Sequence, residues 1–194
     1  MMDDATLRRT VDELDSRVRI LELGARYARG VDRLDRELLR ACFHPDSQHW
    51  HGDYKGTSWG FCDEIMKMVG ALEHTQHLLG TRSITVDGDH ASGELYWIAY
   101  HRVGPDGWYA WPWARPHDLV IMGGRYLDRY ERRDSGWKIS YRRGVHEWDT
   151  YIENPPRRTD DLWPDFLGRR NRADPVYLWH QTILDEDGRS DVAL

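Results

Sequence analysis

The sequence predicts an α+β fold: a cone-shaped α+β barrel in which a curved, mostly antiparallel sheet is covered by N-terminal helices, with an extended C-terminal arm. Three observations predict it. Apolar residues recur every three to four positions through the first third of the chain, strand-like stretches follow, and two Asp/Gly turns join neighbouring strands there. Helices first and a meander afterwards is the order that packs helices on one face of a sheet.

Leu7, Val11, Leu14, Val18, Leu21, Leu23, Tyr27, Val31, Leu34 and Leu38 carry the helical spacing. Gly24 and Gly30 weaken it, so one long helix should bend or end near Gly30, followed by a short helix over 33–41. His44-Pro45-Asp46 then stops the helix. Residues 48–54 read as a short strand, and 57–72 resume helical spacing through Trp59, Phe61, Ile65, Met66, Val69 and Leu72. Strands are expected over 75–86, 91–103, 118–132 and 137–148, with turns at Asp87-Gly88-Asp89 and Asp134-Ser135-Gly136. After Thr150 the pattern fails. Asn154-Pro155-Pro156 opens a stretch with scattered Trp163, Pro164, Phe166, Pro175, Tyr177 and Trp179, so 1–150 is read as the domain and 151–194 as an arm packed through aromatics.

Composition narrows the function. A length of 194 residues suits one domain, and 33 acidic against 27 basic residues give a net charge of −6, which argues against nucleic acid or an anionic membrane as partner. Apolar runs are short and the opening MMDDATLRRT does not resemble a signal peptide, so a soluble, cytoplasmic protein is expected. Cys42 and Cys62 fit neither a disulfide framework nor a zinc motif. Ten Trp and ten Tyr against three Phe suit walls of mixed polarity, either a cavity for an aromatic ligand or a subunit interface.

Four segments concentrate polar groups where a cavity is expected. Tyr27 and Asp32 end the first helix; five positions apart, they lie about 140° around an ideal helix and converge only if it distorts, while Asp32 could equally bond Arg29 or Arg33. Glu73-His74-Thr75-Gln76-His77 opens the sheet. Its two His point to opposite strand faces, a poor zinc motif, and a buried one beside a carboxylate is a common general base. In the third segment Tyr126, Asp128 and Tyr130 share a strand face, and in the fourth Arg142, Gly144 and His146 do. No phosphate loop, nucleophile elbow or dinucleotide fingerprint is present.

Gly30-Val31-Asp32, Asp53-Tyr54-Lys55-Gly56, Thr75-Gln76-His77, Gly123-Gly124-Arg125-Tyr126 and Tyr130-Glu131-Arg132-Arg133 leading into Gly136-Trp137-Lys138-Ile139-Ser140 stand in order over roughly residues 10–150. Together they resemble the SnoaL-like branch of the nuclear transport factor 2-like superfamily, and within it the cofactor-independent dehydratases and dehydrochlorinases. The resemblance implies an Asp–His dyad at Asp32 and His77, a cavity tyrosine at Tyr54 and a cavity arginine at Arg142. Tyr27 stands where dehydratase-like members have Tyr and the dehydrochlorinase has Lys, which disfavours dehydrochlorination.

These readings imply a lyase needing no cofactor and no metal, acting on a medium-sized aromatic, hydroxylated molecule by loss of water or of formaldehyde. His77 is the base, Asp32 its support, Tyr27 or Tyr54 the proton donor and Arg142 the fixed positive charge. Tyr126, Asp128, His146, Trp111 and Trp113 are expected to contact substrate, with the loop 108–113 at the pocket mouth or a subunit interface. A homo-oligomer, dimer or trimer, is expected. A non-catalytic binding protein or an association subunit of the same fold is the other reading.

Overall fold

A computed structural model of the chain describes residues 3–156 and 167–177. Helix α1 (Asp4–Asp32) begins after Asp3, whose side chain accepts from the Thr6 amide at 2.8 Å and satisfies one free N–H of the first turn. It passes Gly30 and ends two residues later at Asp32, so the expected end near Gly30 holds. The glycine serves packing: a Cβ there would lie 2.9 Å from the Leu39 backbone nitrogen in α2 (Arg36–Ala41). Its absence lets the two helices touch.

Strand β1 (Phe43–His51) starts earlier than the sequence suggests, because His44-Pro45-Asp46 lies within it. β1 runs parallel to β6 (Gly136–Ile152), with Phe43 opposite Ile139 and Gln48 opposite Tyr141, so residues 44–47 bulge out of the ladder. A proline, lacking an N–H, is tolerated at such a bulge. Then follow β2 (Tyr54–Thr57), α3 (Ser58–Gly70), β3 (Leu72–Asp87), β4 (His90–Val103), a 3-10 turn (Gly107–Tyr109) and β5 (Leu119–Arg133). The sheet order is β2-β1-β6-β5-β4-β3, antiparallel at every junction except β1–β6.

The helices cover one face of the curved sheet. Ile20, Leu23, Tyr27 and Val31 of α1 and Val69 of α3 join Phe43, Leu95, Trp97, Ala99, Val120 and Ile139 in one core. Each Val, Leu, Ile and Phe among them contributes about 1.5–3 kcal/mol when fully buried. Of the arm, residues 167–177 dock on the α1–α2 junction by polar contacts: Arg33 donates to Asp174, and Tyr177 and Arg172 donate to Asp35. Trp163, Pro164, Phe166 and Trp179 lie outside the described residues. Among the described residues no helix is long and apolar enough to cross a membrane.

Candidate active site

Asp32 is the last residue of α1 and its carboxylate is buried against the start of β3. Thr75 and His77 alternate on one face of that strand, which aims both side chains at it. Oδ1 accepts from His77 Nδ1 at 2.7 Å and from Thr75 Oγ1 at 3.0 Å; Oδ2 accepts from the His77 backbone N–H at 2.8 Å. Burial works to raise the Asp32 pKa, but the hydrogen bonds and charge of His77, with Thr75, hold the carboxyl below its ordinary range. A carboxylate at Nδ1 selects the tautomer whose Nε2 carries a lone pair, and the His77 ring lines a cavity.

That cavity encloses about 50 Å³ between α1, α3 and the sheet. Its walls are apolar on the α3 side, with Phe61, Ile65, Met68 and Val69, and aromatic on the sheet side, with Trp97 and Tyr126, and on the loop after the 3-10 turn, with Trp111. Tyr27 faces it from α1. Three more imidazoles line it: His51, His101 and His146. Burial pushes His101 and His51 down to about 3, the charges of neighbouring His adding to the effect, so both are neutral at pH 7. His51 Nε2 lies 3.1 Å from His146 Nε2, and two neutral rings at that distance share one proton. Gly144 makes room for this pair, since a Cβ there would meet the His51 ring at 2.6 Å.

The other residues expected at the site fall into two groups. Tyr27, Tyr126, His146 and Trp111 line the cavity; Tyr54, Asp128, Arg142 and Trp113 do not. Tyr54 donates its hydroxyl to Thr57 O at 2.8 Å in a local turn. Arg142 is fully buried behind the wall, its guanidinium carbon 4.2 Å from the ring centroids of both Tyr27 and Tyr126. Asp128 closes a bidentate pair with it at 2.8 and 2.7 Å and also accepts from Tyr130 at 2.8 Å, so neither charge is available to a ligand. Trp113 is 57 % exposed and packs on Trp111 and Tyr151 outside the cavity.

Sequence reasoning missed His51, His101 and Arg170. His49 and His51 alternate on β1, as His101 does with Ala99 and Trp97 on β4, so period-two counting within those strands could have found the first two. Arg170 has no such signal. It comes from the arm and donates to the carbonyls of Asp32 (3.2 Å), Val69 (2.8 Å) and Leu72 (2.6 Å), and to Thr75 Oγ1 (3.2 Å). The first two acceptors belong to the C-terminal turns of α1 and α3, where unpaired carbonyls attract a cation. By occupying the Thr75 oxygen it leaves the threonine hydrogen to Asp32. Burial pushes Arg170 down to about 10, which leaves it charged at neutral pH.

The sequence profile of the SnoaL-like domain matches residues 12–143. The chain belongs to the SnoaL-like family, within the nuclear transport factor 2-like superfamily. The SnoaL-like profile thus stops short of Arg170. Among solved structures, the LinA-type3 hexachlorocyclohexane dehydrochlorinase of Novosphingobium barchaimii is similar at a TM-score of 0.64 with 21% identity, over 76% of this chain and 99% of that one. A protein of Novosphingobium aromaticivorans provisionally named a scytalone dehydratase gives 0.58 and 20%, over 77% and 91%. A Mycobacterium tuberculosis protein of unknown function gives 0.58 and 20% over 93% of both chains. At such identities the likeness is one of fold. No curated protein sequence matches the chain.

Proposed function

We propose that this SnoaL-like protein is a cofactor-independent lyase that uses His77, supported by Asp32, as the base on a neutral, aromatic, hydroxylated small molecule. The observation that carries the proposal is the 2.7 Å Asp32–His77 contact at the wall of a cavity lined by apolar, aromatic and further imidazole side chains. A carboxylate spent only on structure needs no titratable partner at a void. The dehydratase and dehydrochlorinase names among proteins of the same fold support a lyase in general.

In a dehydration, His77 Nε2 takes a proton from carbon, the C–H electrons form the double bond, and the hydroxyl leaves as water with a proton from a donor. Tyr27, Tyr126 and the His51–His146 pair are the cavity groups able to donate. In the alternative loss of formaldehyde, His77 takes the proton of a hydroxymethyl group. The C–C bond breaks, and its electrons pass into the aromatic system, which is reprotonated by the same donors. Arg142 acts at one remove: burial raises the Tyr27 pKa and the guanidinium charge offsets part of that rise. With Arg142 neutralised by Asp128, no unpaired cation lines the cavity among the described residues, which fits a neutral substrate over a carboxylate or phosphate.

The cavity is small. A void of about 150 Å³ accepts benzene, so the about 50 Å³ here must open, and the flexible Met68 and the Trp111 loop are the walls placed to do so. That small volume is what favours a second reading, a non-catalytic module. The two are separated by incubating dialysed protein with neutral phenolic alcohols and diols and following water loss and released formaldehyde. Turnover abolished in His77→Ala supports the lyase; ligand binding without turnover, unchanged by His77→Ala, supports the module. The expected homo-oligomer belongs to this proposal as well: Leu78, Tyr96, Ile98 and Trp148 expose an apolar patch on the sheet that a second copy would cover.

A further inference from the structure

Helix α1 is apolar on two opposite faces. Ile20, Leu23, Tyr27 and Val31 are buried in the core, while Leu7, Val11, Leu14, Val18 and Leu21 are exposed by 47, 56, 57, 57 and 37 %. At 100° per residue the two sets stand roughly 160° apart. The exposed set occupies residues 7–21 and the buried set 20–31, so the N-terminal half of α1 carries an apolar stripe that the cone does not cover. The exposed set does not belong to the cone, although its spacing is what marks this segment as helical in the sequence.

Its spacing is also narrower than that of a core-facing helix. The steps of four, three, four and three are those of a heptad seam, with Leu7, Leu14 and Leu21 at d and Val11 and Val18 at a. β-Branched residues at a with Leu at d favour two parallel strands. The flanking positions agree. Placed beside a parallel, in-register copy, Asp3 meets Arg8, Thr10 meets Asp15 and Arg17 meets Glu22 across the seam, with no like charges opposed. Arg17 also holds Glu13 at 2.8 Å and the Ile84 carbonyl of β3 at 2.7 Å.

We propose that α1 is one strand of a parallel, in-register coiled coil whose other strand is α1 of a second copy of this chain. The seam faces away from the core, so the two cones lie on opposite sides of the helix pair and do not collide. The dyad and cavity lie on the core side of α1, and pairing leaves them uncovered. This contact is distinct from the apolar patch on the sheet.

Light scattering of the full chain after gel filtration, across a dilution series, tests the proposal. Val11→Asp combined with Leu14→Asp should halve the mass of the assembly formed by the wild type. Both positions are exposed, so the circular dichroism and melting of the cone should persist; if this pair does not fold, Leu14→Ser is the milder variant for the same reading. A wild-type monomer, or a variant of unchanged mass, overturns the proposal; either result also follows if the chain's own C-terminal residues cover the seam. Orientation is read from oxidative cross-linking. Leu14→Cys should give disulfide-linked dimers, and in mixtures of differently sized tagged Leu7→Cys and Leu21→Cys chains, like should link to like. Linkage of Leu7→Cys to Leu21→Cys would show an antiparallel seam and overturn the pairing. The native Cys42 and Cys62 are buried and do not compete.

Discussion

Asp32 and Asp128 are both buried carboxylates inside the same cone, each hydrogen-bonded to a basic side chain and to a hydroxyl. Asp128 meets Arg142 with two oxygens, and three aromatic residues seal the pair: Tyr27 and Tyr126 face the guanidinium, and Tyr130 bonds the carboxylate. Asp32 meets His77 through one ring nitrogen and leaves the other toward a void. The first pair stands behind the cavity wall, and its guanidinium does not give up its proton near neutral pH. The second sets an imidazole at the cavity wall. Charge and burial alone therefore do not distinguish the two pairs; access to a cavity does.

Four experiments press on this contrast. The largest effect is expected at the open pair: His77→Ala should lower kcat/KM by about 10²–10⁴-fold, the usual contribution of a general base. Urea denaturation of the same variant should show a smaller loss of stability than Arg142→Met, because Asp32 keeps its hydrogen bonds from Thr75 and from the backbone N–H of residue 77. A comparable loss of folding stability would place His77 with the structural pairs.

The sealed pair should behave in the opposite way. Arg142→Met strands the Asp128 charge, and loss of one member of a buried pair costs about 3–5 kcal/mol. Denaturant midpoints measure this. Replacing both members with apolar residues should recover part of it, since the pair's own desolvation cost then disappears.

Acid should separate the imidazoles from the ion pair. His101 and His51 are pushed to about 3 in the folded protein, below the unfolded value near 6.5. The unfolded chain therefore binds protons that the folded one refuses, and stability falls as pH drops from about 6.5 toward 3. Asp32, held low in the fold, adds its loss only as pH falls below its unfolded value of 3.8. His101→Gln should flatten the upper part of the curve by at most about 1.4 kcal/mol per pH unit, the slope for one proton. Unfolding followed between pH 7 and pH 4 checks this, and equal slopes in the two proteins would contradict it. The smallest effect is expected at Tyr54→Phe, whose hydroxyl donates to the Thr57 carbonyl. Stability should change by about 0.5 kcal/mol or less and turnover hardly at all, measured alongside His77→Ala.

Much of the architecture was legible because periodicity is local. The helical spacing of α1 and α3 and the hairpin turns into β4 and β6 need only neighbouring residues, and the family blocks carried Asp32 and His77. Other features depend on register and close approach. Asp128 faces Arg142 because a break in the β5–β6 ladder between Arg129 and Tyr130 moves the pairing by one residue. Without that shift the partner across the strand would be Tyr141, and the sequence carries no mark of the shift. Gly30 reads as a helix breaker until Leu39 is seen against it. Tyr54 holds a place that the family resemblance assigns to the cavity, and only the turn to Thr57 shows its hydroxyl occupied.

By itself the sequence determined the order of helices and strands, the family, and the presence of a carboxylate and an imidazole capable of base chemistry. Those depend on residue type and on spacing within one element. The tertiary structure alone decided which carboxylate takes which base and which rings wall the cavity. It also decided that Arg170 reaches the back of the dyad from 138 residues away, and that Leu7 through Leu21 face outward instead of into the core. These are contacts between elements, set by strand register and by which helix face meets the sheet, and no local pattern encodes them.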